Sequence, residues 1–171
     1  MAAGPHGATP HHEPTDRPLA HGELLTIDCG ALVDGYHADH TRTVALGPPA
    51  DPLLVEVHQI VQAAQAAGRA AVRAGAMAAE VDGAARTVIT EAGYGDHFVH
   101  STGHGVGLQI HEAPTVARGS AATLAPGIVL TVEPGIYLPG RGGVRIEDTV
   151  VVTAEAAARV LTDMPRELRI L

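Results

Sequence analysis

Residues 24–43 read Leu24-Leu-Thr-Ile-Asp28-Cys-Gly30-Ala-Leu-Val33-Asp34-Gly35-Tyr36-His-Ala-Asp39-His-Thr-Arg-Thr43. Two apolar, β-prone runs flank Asp34-Gly35, and Asp-Gly is a strong signal for a two-residue hairpin turn. Strands are expected over residues 24–31 and 36–46. A two-residue turn pairs Val33 with Tyr36, and counting back pairs Gly30 with Asp39. Asp28 then lies on the same face as Asp39, on the diagonal. Diagonal neighbours are roughly 7–8 Å apart. Two inward carboxylates at that spacing can share a metal pair whose ions sit roughly 3.5–4 Å apart. The competing reading is a pair of ordinary strand-end or solvent-facing acids. Asp is disfavoured in strands, and Asp28 follows an apolar run, which tilts the reading towards function.

Working outward, Pro48 and Pro49 end the hairpin. Residues 52–74 place Leu53, Leu54, Val57, Ile60, Val61 and Ala64 on one helical face, with Gly75 as the stop. A second helix is expected over residues 79–92, with Val81, Ala84, Ala85, Val88 and Ile89 inward and Gly93 at its C-terminal end. Residues 128–132 and 144–152 are strand-like, joined by a Pro-Gly-Arg-Gly-Gly loop at 139–143. Residues 1–18 carry four prolines and read as loop or short irregular strand. Hairpin, two helices, then strands imply an α+β fold, with helices packed on one face of a mostly antiparallel sheet.

Three further motifs carry chemistry. In His100-Ser-Thr-Gly-His104-Gly-Val-Gly-Leu-Gln-Ile-His111 the glycines allow close backbone approach around His104. Neutral imidazole is a good metal ligand. His100 and His111 flank it and could bind substrate or move protons; a glycine-rich turn with surface histidines is the plainer alternative. In Val129-Leu-Thr-Val-Glu133-Pro-Gly-Ile-Tyr137 and Val144-Arg-Ile-Glu147-Asp148-Thr, a glutamate sits in or at the end of an apolar strand. A buried carboxylate needs a partner. Arg145 could serve one of the two, and a metal would serve both. Asp28, Asp39, His104, Glu133 and Glu147 thus read together as a site for two hard or borderline divalent ions.

Composition bounds the rest. The chain has 171 residues, 46% hydrophobic, enough for one domain with one sizeable core. A net charge of −8 with no basic stripe argues against nucleic-acid and anionic-membrane partners. The single cysteine, Cys29, cannot form an intrachain disulfide, which suits a cytoplasmic setting. The first residues lack the apolar stretch of a signal peptide, and no run is long enough to span a bilayer.

The strings LLTIDCGALVDGYHADHTRT, HSTGHGVGLQIHEAP, VLTVEPGIY and GVRIEDTVVVT together resemble the pita-bread metallopeptidases, in the Xaa-Pro branch of aminopeptidase P and prolidase. The four motifs match in order over about residues 10–153. The resemblance implies the pita-bread fold, a mostly antiparallel curved sheet with helices on its outer face. It implies two divalent ions, manganese by family expectation, with cobalt, zinc or iron also suited to these donors. It implies that Asp28 and Asp39 bind metal with Asp39 bridging, that His104 and Glu133 hold the second ion, and that Glu147 bridges. His111 matches the catalytic histidine, Glu133 the acceptor of the water proton, and His11 and His100 substrate-contacting histidines. Arg145 matches an active-site arginine. The implied substrate is a peptide with proline at the second position, and a homodimer is compatible with the family. A methionine aminopeptidase-type enzyme, or a non-catalytic module of the same fold, are the alternatives.

The chain departs from the pattern in two ways. His6 stands five residues before His11, where asparagine is usual. The chain also begins almost at His11, so residues 1–171 are expected to form a single, partial catalytic domain. The family's N-terminal domain and first catalytic-domain helices would be absent, leaving an apolar sheet face uncovered.

Overall fold

The computed structural model describes residues 1–171 except Ala156 and Asp163. In chain order the strands are β1 (Ala2–Ala3), β2 (Leu24–Cys29), β3 (Leu32–Val33), β4 (Tyr36–His37) and β5 (His40–Ala45). Helices α1 (Pro52–Ala71) and α2 (Ala78–Glu91) follow. Then come β6 (Gly103–Gly105), β7 (Glu112–Val116), β8 (Val129–Val132), β9 (Gly135–Leu138), β10 (Gly142–Arg145), β11 (Asp148–Val151) and β12 (Arg159–Val160). A three-stranded sheet has the order β1-β2-β5, a five-stranded sheet the order β12-β11-β8-β6-β7, and β3-β4 and β9-β10 are two-stranded ladders. All these pairings are antiparallel. The α+β reading stands.

The Asp-Gly turn forms as its chemistry dictates. Asp34 and Gly35 both take positive φ, 51° and 84°, the pair of left-handed residues that a tight hairpin turn of this type requires. Val33 pairs with Tyr36, and Cys29 with His40. One register therefore runs from the turn to Leu24↔Ala45, and Gly30 stands opposite Asp39 in it. The two expected long strands are each interrupted at that point.

Asp51 caps α1, its carboxylate accepting from the Leu53 N–H at 3.0 Å, and Pro52 opens the first turn. The helix ends at Ala71, short of the expected Gly75, because Val72 turns to extended backbone (ψ 108°) and is fully buried in the core. Leu54, Val57, Val61 and Ala64 are buried as read, while Leu53 and Ile60 are partly buried at its rim. On α2, Val81, Ala85 and Ile89 are buried. Gly93, at φ 89°, follows the last turn of α2 in the left-handed conformation that terminates helices.

The 144–152 run is not one strand. Residues up to Arg145 pair with β9, whereas residues from Asp148 pair with β8. The loop expected at 139–143 is a shorter turn, with β10 beginning at Gly142. Leu130, fully buried among Val72, Val81, Val116 and Val150, centres the core beneath the five-stranded sheet. Leu130→Ala is expected to destabilise the protein by about 2–5 kcal/mol, the usual cost of a buried cavity, measured by urea unfolding.

Candidate active site

The candidate residues sit where the ladders break. The registers Val132↔Asp148 and Gly135↔Arg145 belong to one antiparallel ribbon, so Glu133 stands opposite Glu147 at its interruption. Pro134 has no N–H to continue the ladder there. Asp39 lies in the gap between β4 and β5, opposite Gly30, where a Cβ would collide with the Ala38 carbonyl. His104 adjoins a register shift between β6 and β7. Bulges and breaks of this kind re-aim side chains next to functional sites. Asp28 alone stays inside a continuous ladder, opposite Thr41.

Two crossings bring the breaks together. The Glu147 N–H donates to the Thr41 carbonyl at 3.0 Å, and Thr43 Oγ1 bonds the main chain of Arg145. This lays the end of the second ribbon along β5. Thr149 Oγ1 donates to the Asp39 carbonyl at 2.6 Å. On the other side, the Glu133 N–H donates to the Thr102 carbonyl at 2.8 Å. Gly103 packs so tightly on β8 that a Cβ would meet the Thr131 carbonyl.

Ligand atoms of Asp39, His104 and Glu147 all lie within 4.8 Å of one another. His104 Nε2 is 3.2 Å from Glu133 Oε1 and 3.7 Å from Asp39 Oδ2. Its Nδ1 is 3.0 Å from the Gly105 carbonyl, so Nδ1 carries the proton and Nε2 faces the carboxylates. That orientation by the far ring nitrogen is how ligating histidines are held. Asp28 is the most exposed member, at 40%, and its Oδ2 accepts from Arg145 Nη2 at 2.5 Å.

Four carboxylates crowd around one guanidinium, and the acidities of Asp39, Glu133 and Glu147 record it. Burial, then Asp28 and Glu133, push the Asp39 carboxyl up to about 6. Burial, followed by Glu133 and Asp39, pushes Glu147 well above the usual range, though Thr41 Oγ1 donates to it at 2.6 Å. Burial also raises Glu133, but His104, His100 and Arg145 together outweigh it and hold that carboxyl low. Burial disfavours the His104 imidazolium, yet Glu133, the Gly105 carbonyl and Asp39 raise it overall. An oxygen-rich, anionic donor set with one imidazole suits hard or borderline divalent cations, and the residues fit such ions.

A cavity of about 240 Å³ opens beside this cluster, lined by His11, His100, His104, His111, Glu133 and Arg145. The ring centroids of His111 and His104 are 4.2 Å apart at 73°. His6 is turned elsewhere, its ring 4.2 Å from that of His12. The motif reading passed over Tyr137, whose buried hydroxyl accepts from Arg145 Nη1 at 3.1 Å and lies 2.8 Å from His100 Nε2. His100 Nδ1 is 2.7 Å from the Ser101 carbonyl and carries the ring proton, so Tyr137 donates to Nε2. Burial first of all lifts the Tyr137 hydroxyl to about 12, keeping it neutral. Both ring nitrogens of His100 are therefore occupied within the wall. A buried tyrosine needs a partner for its hydroxyl, and that was the available signal. Thr131 was also missed: it accepts from the His104 N–H at 3.0 Å and donates to Glu133 Oε1 at 3.1 Å.

Residues 1–154 match the description of metallopeptidase family M24. The chain belongs to that family. Within M24 it is 45% identical over 169 residues to the probable dipeptidase PepE of Mycobacterium tuberculosis, covering 98% of this chain and 44% of that protein. It is 46% identical over 168 residues to the Xaa-Pro dipeptidase of Pyrococcus furiosus, covering 98% of this chain and 48% of the relative. The solved Xaa-Pro dipeptidase of Bacillus anthracis superposes with a TM-score of 0.96 at 49% identity, over 99% of this chain and 47% of that one. The M24 chain thus has the pita-bread fold that its motifs imply, and it spans about half the length of the relatives it matches. No helix among the described residues is long and apolar enough to cross a membrane.

Proposed function

We propose that this chain is part of the catalytic domain of a dinuclear metal-dependent peptidase that hydrolyses the bond before proline. The observation that carries the reading is the convergence of Asp39, His104, Glu133 and Glu147 at three ladder interruptions, beside a cavity walled by histidines and Arg145. Asp28, Asp39, His104, Glu133 and Glu147 would hold two divalent ions, with manganese the first choice. Bound there, the ions would acidify a water and polarise the substrate carbonyl. The relatives' names, dipeptidase and Xaa-Pro dipeptidase, support a short peptide with proline at its second position as substrate.

The chain's own residues supply the rest. Glu133 is held ionised by His104, His100 and Arg145, so it is ready to take a proton from the attacking water. It would then return that proton to the departing amine. His111 stands at the cavity mouth against His104 and is placed to donate to the developing oxyanion. Arg145 is locked by Asp28, Tyr137, Thr41 and the Pro10 carbonyl. It fixes the Asp28 carboxylate and ties the His11 segment to the cavity wall. His100 shapes the pocket through its hydrogen bond to Tyr137, while His11 lines the side open to substrate. A reducing, cytoplasmic setting suits the free, exposed Cys29, and a homodimer is the assembly to look for.

Hydrolysis of Ala-Pro, Ala-Pro-Ala and Met-Ala-Ser by the purified chain with Mn²⁺ tests this. Release of alanine from the proline peptides, with Met-Ala-Ser untouched, is the expected result. Preferential cleavage of Met-Ala-Ser would place it with the methionine aminopeptidases. Metal binding without any cleavage would mark a module needing further protein for catalysis.

A further inference from the structure

Immediately after Glu147 lies a carboxylate that the chemistry above does not use. Asp148 is completely buried, and five donors surround it. Its Oδ1 accepts from Arg42 Nη2 and Thr162 Oγ1, both at 2.7 Å. Its Oδ2 accepts from Gln65 Nε2 at 2.7 Å and Arg166 Nε at 2.5 Å, with Arg69 Nε at 3.4 Å. Three guanidinium groups thus converge on one buried carboxylate. Replacing a buried ion cluster by apolar groups of similar volume is often neutral or stabilising, so stability is a weak account of it.

Arg42 reveals what the cluster holds. Its Nη1 donates to the main-chain carbonyls of Glu147, at 2.5 Å, and Thr41, at 2.8 Å. Thr41 in turn donates to the Glu147 carboxylate. The remaining donors of Arg42 reach the Met164 and Pro165 carbonyls at 3.0 and 2.9 Å. The terminal segment then runs beside β5, where the Ala45 N–H donates to the Arg169 carbonyl and the Leu171 N–H to the Ala45 carbonyl. One guanidinium therefore joins the backbone of Glu147, the strand that follows Asp39, and the C-terminal segment.

We infer that Arg42 and Asp148 are positioning residues for the metal centre, and that Thr162, Met164, Pro165 and Arg166 act as a clasp that keeps the Asp39 and Glu147 carboxylates at their mutual spacing. The inference rests on the two-ion reading. Neither Arg42 nor Asp148 lines the cavity, and both act through the main chain on either side of Glu147 and Asp39. A loosened clasp lets Glu147 drift while the fold persists.

The test is Mn²⁺ titration followed by calorimetry and electron paramagnetic resonance on the full chain and on Arg42→Lys, Asp148→Asn and Arg166→Gln. Asp51→Asn, which breaks the exposed pair with Arg141, is the control for general destabilisation. Wild type should take up two ions and show a spin-coupled pair. The three variants should lose ~10–100-fold in affinity for at least one ion, the range seen when a group that orients a ligand is removed. Their spectra should shift towards an isolated Mn²⁺ signal, with Asp51→Asn unchanged. Arg166 is near the surface, so its variant decides the matter if the two core variants fail to fold. Variants that bind two coupled ions with wild-type affinity would overturn the inference. A wild type that binds no Mn²⁺ would instead overturn the two-ion reading beneath it.

Discussion

Asp39→Ala should lose hydrolysis of Ala-Pro to below detection and lose bound metal, yet melt no lower than the wild type when both are metal-free at pH 7.5. The first half follows from position. Asp39 lies within 4.8 Å of ligand atoms of both His104 and Glu147, at the centre of the cluster. Removing a group that merely orients a ligand costs about 10–100-fold in metal affinity or activity, and removing a proposed ligand itself should cost more. The second half follows from charge. With no cation present, Asp39 is a carboxylate that burial, Asp28 and Glu133 all push towards the neutral form. At pH 7.5 it is ionised nonetheless, and that ionisation opposes the folded state. Alanine removes the repulsion at the expense of a small void. Elemental analysis, a peptide assay and thermal melts with and without chelator measure the three quantities. A variant that retains two ions and cleaves the dipeptide would remove Asp39 from the centre. A metal-free variant that melts well below metal-free wild type would show that Asp39 is a structural acid.

The hairpin was legible because one dipeptide fixes its register. Asp34-Gly35 sets the pairing from Val33↔Tyr36 to Leu24↔Ala45, and the Gly30–Asp39 alignment follows by counting. The helix faces were legible because Val57, Val61 and Ala64, or Val81, Ala85 and Ile89, recur at the period of a helix. The strand break at Glu147 was not, although the run expected at 128–132 already ended before Glu133. Around Glu147 run Val-Arg-Ile and Asp-Thr-Val-Val, a β-prone stretch with no proline or glycine to mark where the strand parts. The parting is tertiary: it needs Pro134 on one strand and the Thr41 carbonyl capturing the Glu147 N–H on the other. The partners of the site were hidden for the same reason. Thr41, Thr131 and Tyr137 are unremarkable in sequence, and they matter because β5, β8 and β9 carry them to Glu147, Glu133 and Arg145. The five candidate ligands could be read from residue type and motif, whereas the atoms that aim them depend on which strands cross.

Metal removal should destabilise the chain, and the loss should widen as pH rises from 5 to 8. The folded-state value of Asp39 is raised from 3.8 to about 6, so the metal-free fold holds that proton more tightly than the unfolded chain does. Its contribution is fully present below about pH 4 and disappears as pH climbs through about 6. Glu147 is raised well above its usual range and His104 is raised as well, so both act in the same direction. Glu133 is lowered and acts in the opposite sense only below this interval, while His58 and His100, also lowered, act in the opposite sense within it. The metal-free cluster of Asp39, Glu147 and His104 therefore loses its contribution over the same interval in which these groups become free to bind a cation. Ion binding must displace those protons, so affinity rises with pH. Free Mn²⁺ at 100 times its dissociation constant would add about 2.7 kcal/mol. For a chain of this length that is a rise of about 5–10 °C in Tm near pH 8. At pH 5 the gap should shrink towards zero. Melts in Mn²⁺ and in chelator at pH 5, 6, 7 and 8 measure it directly. A gap that stays constant across that range would mean that protons and metal do not compete for Asp39, His104 and Glu147, and the site described here would not be where the ions bind.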